Sequence, residues 1–529
     1  MEKIHRTTNT INMPDLLNNK RIGIWGYGVT GRAATEFCLA RGARVWVMDP
    51  KLTNNSPESG ELSKLIHDLP ARHEIHTQSQ IKWTDETHLE EFLKSNDLII
   101  PSPGINIAPY LSQLQGKLLP EIDLFFRFAQ KPIIAITGSV GKTTITSVLS
   151  DVLTGYGKKV LTGGNIGTPC LELLKNQDNF DLFVLELSSF QLEYSTCFAP
   201  DIAVITNISP NHLDRHKSME QYIEAKCKIF QNQKELLPCT NRQVILPLNM
   251  HEIANISHDN LQTNTVPNTQ TNTSSKKQSA LSRFTFMHPK SPTKSELEML
   301  TDQEALFYLD NTDIMYYESE KLVKLLNISQ LPPITFPENW LTICAIIHSL
   351  KLPITELIQL SQTAKAPEHR LEFVATINGV SFYNDSKSTV SKSTIAAVTA
   401  LAQRGKQPIT LLLGGLSKGV NRAPLIAEIA PFVNMTYCFG AEASELADLC
   451  TAQNIPTQAF KTLEDAVSAI ALAINKAPQA SGSVLLSPAG SSFDLFANYQ
   501  ERGHRFKALV HDLANRPSSV LPEQELPTL

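Results

Sequence analysis

The run Pro132–Thr144, PIIAITGSVGKTT, restricts the possible folds of this chain more than any other stretch. Four apolar residues predict a buried strand, and the Gly/Ser/Thr-rich turn after it leads into a helical pattern. Backbone N–H groups of such a turn cradle phosphate oxygens at a helix N-terminus, while Lys142 meets the β- and γ-phosphates. Gly138, Ser139, Gly141, Lys142, Thr143 and Thr144 are therefore the expected ATP contacts, and Thr143 the natural Mg²⁺ ligand. A full Walker pattern has Gly where Ile136 stands, so the motif is a shortened variant. The plain alternative is a solvated Gly/Thr turn, which a placement directly after an apolar strand disfavours.

The strand rhythm starts three times. RIGIWG, ARVWVMD and DLIIPSPG open a βαβ series, KPIIAITGS to PDIAVITNIS a second, and GVSFYNDS, PITLLLGG, MTYCFG and SGSVLLSPAGSS a third. With 529 residues and about 150 per domain, this predicts an α/β chain of three domains. They are a Rossmann-like domain over 1–119, a central parallel-sheet domain of the P-loop ATPase kind over 120–365, and a second Rossmann-like domain over 366–529. A tract rich in Asn, Thr, Ser and Gln around 251–295 reads as a flexible surface insertion.

Net charge of −5 gives no basic excess for a nucleic acid, and no segment is apolar over the roughly 20 residues that span a bilayer. Eight scattered cysteines lack any C-x-x-C pair, which fits a reducing compartment. The expectation is a cytoplasmic protein, a monomer, with small molecules as partners, no nucleic acid and no membrane.

Further motifs sit at predicted strand ends, where α/β sheets bind ligands. Gly26-Tyr27-Gly28-Val29-Thr30-Gly31 follows a strand and opens a helix, and Asp49 ends the next strand. That context predicts a diphosphate site, equally open to NAD, FAD or a UDP-sugar. Glu186 and His212 end the two strands after the P-loop and are candidate metal ligands, although a lone residue of either kind is more often structural. Lys226, in SMEQYIEAKCKIF, reads from pattern alone as a solvated helix face. In the last third, 384–389, 414–419 and 487–492 are polar strand ends. Lys387 and Lys418 among them suit a carboxylate or phosphate.

In order along the chain, TGSVGKTT, GGNIG, LELSSFQLE, NHLDRH, YIEAK, PEHRLE, NDSKST and SPAGSSFD resemble the Mur ligase family of peptidoglycan synthesis. The resemblance runs from Arg21 to about Lys507, apart from the region around 251–320. It implies an ATP-dependent acid–amino acid ligase that adds D-glutamate to UDP-N-acetylmuramoyl-L-alanine through an acyl phosphate. It assigns Val29, Thr30, Asp49, Lys51, Ser102 and Asn165 to the UDP substrate. Asn339, Arg370 and Asp385, with His369 beside them, go to ATP. Glu186, His212 and Lys226, the lysine as a carbamate, go to Mg²⁺. Lys387, Thr389, Lys418, Ser492, Phe493 and Tyr499 go to D-glutamate. Catalysis would rest on Lys142, Glu186, His212 and Lys226. The sequence departs from the family at Val140, Asn211, Thr342 and Val390, each where another residue is frequent, and has Lys51 in a place where Arg is familiar.

Three rivals share some of these features. Within the enzyme class the rival is a sibling ligase adding another amino acid, or a folylpolyglutamate-type ligase, which shares the central and C-terminal domains; GYGVTG with Asp49 in an extra N-terminal domain argues against the folate reading. An NAD-dependent dehydrogenase explains only GYGVTG and Asp49. A non-catalytic nucleotide-binding regulator would account for Val140 and Thr342 but has no need of Lys142, Glu186, His212 and Lys226.

Overall fold

The computed structural model of the chain describes residues 16–52, 62, 81–234, 242–252, 283–302, 304–332, 334–403, 405–417, 419–476 and 481–515. They build three sheets. The first contains β1 (Arg21–Trp25), β2 (Arg44–Met48), β3 (Ile81–Thr84) and β4 (Leu98–Pro101), all parallel, in the order β3-β2-β1-β4. The second runs from β5 (Ile133–Thr137) through β6 (Val160–Gly164), β7 (Leu182–Glu186), β8 (Ile202–Ile205), β9 (Gln243–Pro247), β10 (Arg283–His288), β11 (Ala305–Asp310) and β12 (Asp313–Glu318) to β13 (Lys321–Asn327). Its order is β13-β12-β11-β10-β9-β8-β5-β7-β6, parallel except for β12 and β13.

The third sheet holds β14 (Glu372–Ile377), β15 (Val380–Asn384), β16 (Ile409–Gly414), β17 (Val433–Phe439), β18 (Thr457–Phe460) and β19 (Gly482–Leu486). Its order is β14-β15-β19-β16-β17-β18, and only the edge strand β14 is antiparallel. The three parallel-sheet series match the sequence rhythm because a strand covered on both faces is apolar throughout. IIAIT and LFVLE, in β5 and β7, are buried at every position.

Chain packing divides the described residues into two compact units. One draws on 1–208, 218–331 and 337–363, the other on 209–217, 332–336 and 364–529. The first two sheets share one unit because a single apolar core runs between them, from Ile22, Phe37 and Val47 through Leu119 and Phe125 to Ile133 and Phe183. Phe37 and Phe128 meet edge to face at 5.1 Å, and Lys175 pairs with Glu36 at 2.8 Å across the same seam.

Two features differ from the sequence reading. The polar tract expected over 251–295 ends sooner, because Arg283–His288 forms β10 beside β9 and buries Phe284 and Phe286; residues 253–282 lie outside the described residues. The antiparallel extension β11-β12-β13 was not foreseen. Its β12–β13 turn places Ser319 and Glu320 at φ +47° and +61°, with none of the Asn-Gly chemistry that marks such a turn in sequence. No helix among the described residues is long and apolar enough to cross a membrane.

Candidate active site

Strand β5 lies between β7 and β8, so the turn that follows it is flanked by the ends of both neighbours. Gly141 takes φ +91° and caps the helix Lys142–Gly155, while Gly138 takes φ +146°. A Cβ at Gly138 would lie 2.0 Å from Thr206 Oγ1, and one at Gly141 2.6 Å from Asn339 Oδ1. Only glycine fits at either place. Asn339, at the start of the helix Pro337–Ser349, thus stands against the turn.

The end of β8 clasps the turn. Val140 N donates to Asn207 Oδ1 at 3.0 Å, Asn207 Nδ2 donates to Val140 O at 2.9 Å, and Thr206 Oγ1 donates to the same carbonyl at 2.7 Å. Ser139 N donates to Asn207 O at 2.9 Å. Residue 140 is therefore held by its backbone, which is why valine serves there. Sequence reading missed Thr206 and Asn207; their signal was a polar pair ending the strand next to the P-loop. Thr143 and Thr144 are buried in the first helical turn, and Lys142 Nζ folds back to Gly138 O at 2.8 Å.

Lys226 is the largest departure from pattern. The helix Met219–Gln231 points it inward, 2% exposed, with Nζ 3.0 Å from Gly138 O and 3.3 Å from Thr137 Oγ1. Its ammonium lies over the Tyr222 ring at 4.6 Å, and the Tyr222 hydroxyl meets Ser139 Oγ at 3.0 Å. Burial first, and the nearby Lys142 second, hold its pKa well below the usual lysine range, against a smaller pull from Glu186. A lysine so placed carries a neutral amine far more readily than one on a solvated face.

Glu186 ends β7 and is buried. Asn165 Nδ2 donates to Glu186 Oε1 at 2.8 Å, and Asn165 N donates to the Glu186 carbonyl at 2.8 Å. Asn165 is thus an orienting partner of the carboxylate. His212 lies in the segment 209–217, which packs with the second unit, and adopts φ +56° and ψ +32° before the short helix Leu213–His216.

In the first sheet, Gly26 takes φ +93°, and a Cβ at Gly31 would meet Gly26 O at 1.9 Å. Around Gly28 a Cβ would meet nothing within 4 Å, so the turn has open space for a ligand. Asp49 braces the turn: Oδ2 accepts from Tyr27 N at 2.7 Å and Oδ1 from Lys51 N at 2.9 Å. Ser102 Oγ donates to Gly26 O at 2.9 Å from the end of β4. Val29 and Lys51 are exposed and Thr30 half-buried at the same edge.

In the third sheet β19 enters between β15 and β16, which makes the strand ends there a topological switch point. Asp385 follows β15; burial pushes its carboxyl up to about 6, against the pull of Arg370 and the bonds it accepts from Ser487 Oγ at 2.8 Å and Leu371 N at 3.1 Å. His369 is buried at φ +62°, its Nδ1 receiving Asn384 Nδ2 at 2.9 Å, and burial lowers its pKa. Lys387 Nζ stands over the Tyr499 ring at 5.2 Å. The fully buried Arg502 ties the β15 turn to the β19 turn through Ser386 O at 2.7 Å and Gly490 O at 3.1 Å, a role no sequence pattern signalled. Ser492 is buried, Phe493 is 70% exposed, and Thr389 is half-buried. Lys418 lies outside the described residues.

Comparison with known proteins agrees with this layout. The family model of the Mur ligase middle domain matches residues 136–302, and that of the Mur ligase glutamate ligase domain matches 369–490. The UDP-N-acetylmuramoylalanine–D-glutamate ligase of Caldanaerobacter subterraneus subsp. tengcongensis is 32% identical over 94% of this chain and 99% of its own length. That of Koribacter versatilis is 33% identical with the same coverage. Among solved structures, MurF from Acinetobacter baumannii shares the fold with a TM-score of 0.53 at 14% identity, over 95% of this chain and 92% of that one. A Mycobacterium tuberculosis folylpolyglutamate synthase complexed with ADP and AMPPCP gives 0.52 at 12% identity, over 75% of this chain and 94% of that one. Two family models matched in chain order, with relatives above 30% identity along nearly the whole length, establish that the chain belongs to the Mur ligase family.

Proposed function

We infer that the protein is the ATP-dependent ligase that joins D-glutamate to UDP-N-acetylmuramoyl-L-alanine. The substrate pair rests on the likeness to full-length relatives bearing that name. The chemistry rests on one observation, the buried Lys226 seated on the carbonyl of Gly138 beside Lys142 and Glu186. A dehydrogenase has no use for such a lysine.

In this reading the terminal carboxylate of the nucleotide sugar attacks the γ-phosphorus of ATP, forming an acyl phosphate with ADP as the leaving group, which remains bound. The D-glutamate amine then attacks the acyl carbon and phosphate leaves, giving the amide. The N–H groups of the turn after β5 and the positive end of the helix Lys142–Gly155 hold the phosphates. Lys142 offsets charge on the transferring group. The turn around Gly28 receives the UDP diphosphate, and the strand ends with Lys387, Thr389, Lys418, Ser492, Phe493 and Tyr499 receive the amino acid.

Oxygen donors suit Mg²⁺, and the buried Glu186 carboxylate, fixed by Asn165, and the Thr143 hydroxyl fit it. Lys226 fits once carbamylated, which converts the neutral amine into an anionic oxygen ligand; His212 is assigned to the ion by the resemblance alone. When bound, the metal supplies Lewis-acid stabilisation of phosphoryl charge.

Phosphate release from purified protein with MgATP and UDP-N-acetylmuramoyl-L-alanine tests the reading, with D-glutamate, L-glutamate, L-alanine or a diamino acid added separately. Release that requires both the nucleotide sugar and D-glutamate is expected. Dependence on another amino acid moves the protein to a sibling activity, and no release leaves only a nucleotide-binding role.

A further inference from the structure

The turn after β16 is held from two sides. On one side it is zipped to the turn after β19: Leu416 N donates to Ser491 O and Ser491 N to Leu416 O, both at 2.9 Å, and Gly414 N donates to Pro488 O at 3.0 Å. Gly415 takes φ +73°, and a Cβ there would lie 2.2 Å from Ser491 O. On the other side stands Arg422, 2% exposed, whose Nη1 donates to Gly415 O at 3.2 Å and whose Nη2 pairs with Glu442. Both oxygens of Glu442 accept from Ser417 N at 3.1 Å, and Ser417 Oγ donates to Oε1 at 3.3 Å.

A guanidinium taken out of water is costly unless its partners are fixed, and here the partner is a carboxylate whose own bonds end on the backbone of the turn. The arrangement ties the turns after β16, β17 and β19 into one rigid rim. Residues 417 and 491 lie next in sequence to Lys418 and Ser492, both assigned to the amino acid. Besides pairing with Arg422, the carboxylate therefore has its other bonds on Ser417, the residue before Lys418.

We propose that Glu442, fixed by the buried Arg422, is a positioning residue that sets the affinity for the dicarboxylate amino acid by holding the turn 414–417 through Ser417. The inference rests on the D-glutamate ligase reading. The pair acts on binding of the amino acid rather than on phosphoryl transfer, since its bonds end on Gly415 and Ser417 in the turn after β16.

The test compares wild type with Glu442→Gln, Glu442→Asp and Ser417→Pro, the last removing both the N–H and the hydroxyl donor to Glu442 while keeping the charges of Arg422 and Glu442. Glu442→Gln and Ser417→Pro should each raise the KM for D-glutamate about tenfold and leave the KM values for ATP and the nucleotide sugar within about twofold. Glu442→Asp, which keeps the charge, should recover part of the loss. If Glu442→Gln does not fold, Ser417→Pro decides. An unchanged KM for D-glutamate, or a rise shared by all three substrates, overturns the inference while wild-type activity keeps the ligase reading intact. A wild type indifferent to D-glutamate overturns both.

Discussion

Lys226 Nζ donates to the carbonyl of Gly138 at 3.0 Å, although 88 positions separate the two residues in sequence. The bond seats the side chain at the phosphate-binding turn while burial disfavours its charged form. A neutral amine is the form that reacts with carbon dioxide, so the same burial that disfavours the ammonium prepares the carbamate.

Lys226→Arg, which keeps a cation but cannot form a carbamate, should lower kcat about 100-fold, the upper range for losing support of a metal site. Stripping dissolved carbon dioxide from wild type should lower the rate and added bicarbonate should restore it. Phosphate release measures both; a fully active Lys226→Arg refutes the assignment.

Asn165→Ala frees the Glu186 carboxylate from its 2.8 Å bond without altering its charge. The Mg²⁺ concentration for half-maximal phosphate release should rise about 10- to 100-fold. A Mg²⁺ titration that overlays wild type would leave Asn165 with a structural role only.

Asn207→Ala removes both bonds to the backbone of residue 140 and should cost about 1–3 kcal/mol in urea unfolding, with a raised KM for ATP. Val140→Asn alters a side chain that the turn does not use to hold itself and should change stability by less than about 0.5 kcal/mol. Equal effects of the two substitutions would contradict the backbone clasp.

Glu121 is buried at the start of the helix Glu121–Phe128, accepting from Leu171 N at 3.2 Å. Burial pushes its carboxyl up to about 7, against the pull of the Leu171 and Cys170 N–H groups. Because the folded pKa lies above the ordinary carboxyl value of about 4.5, the native state keeps the proton longer than the unfolded chain. Stability from this group is therefore greatest below pH 4.5 and falls as pH rises to about 7, by about 3 kcal/mol. Glu121→Gln, measured by urea unfolding from about pH 5 to about pH 8, should lose that slope; an unaltered slope would show that Glu121 is ionised throughout.

The residues that local pattern placed are those whose signal is itself local. The strands β1, β2, β5, β7, β8, β15, β16 and β19 stand where apolar runs end in glycine or small polar residues. A strand buried on both faces needs every position apolar, and a turn with positive φ needs glycine. The P-loop and the three polar strand ends of the last third were legible for the same reason. The resemblance supplied roles for them, and it also supplied Lys226.

Tertiary structure decided what depends on distant partners. Helical periodicity marks which face of Met219–Gln231 is apolar, yet not that Lys226 lies on the buried side with its ammonium against Gly138. Nothing near Asn165 points to Glu186, and nothing near Asn207 points to residue 140. β10 follows a long polar tract, yet its position beside β9 is set by burial of Phe284 and Phe286 in a core built elsewhere in the chain. The sequence by itself determined where strands and phosphate-binding turns form, because a few neighbouring residues fix backbone shape. Which side chain meets which was decided only by packing, because the energy of a buried charge or hydrogen bond belongs to the pair, and its members are brought together by the fold.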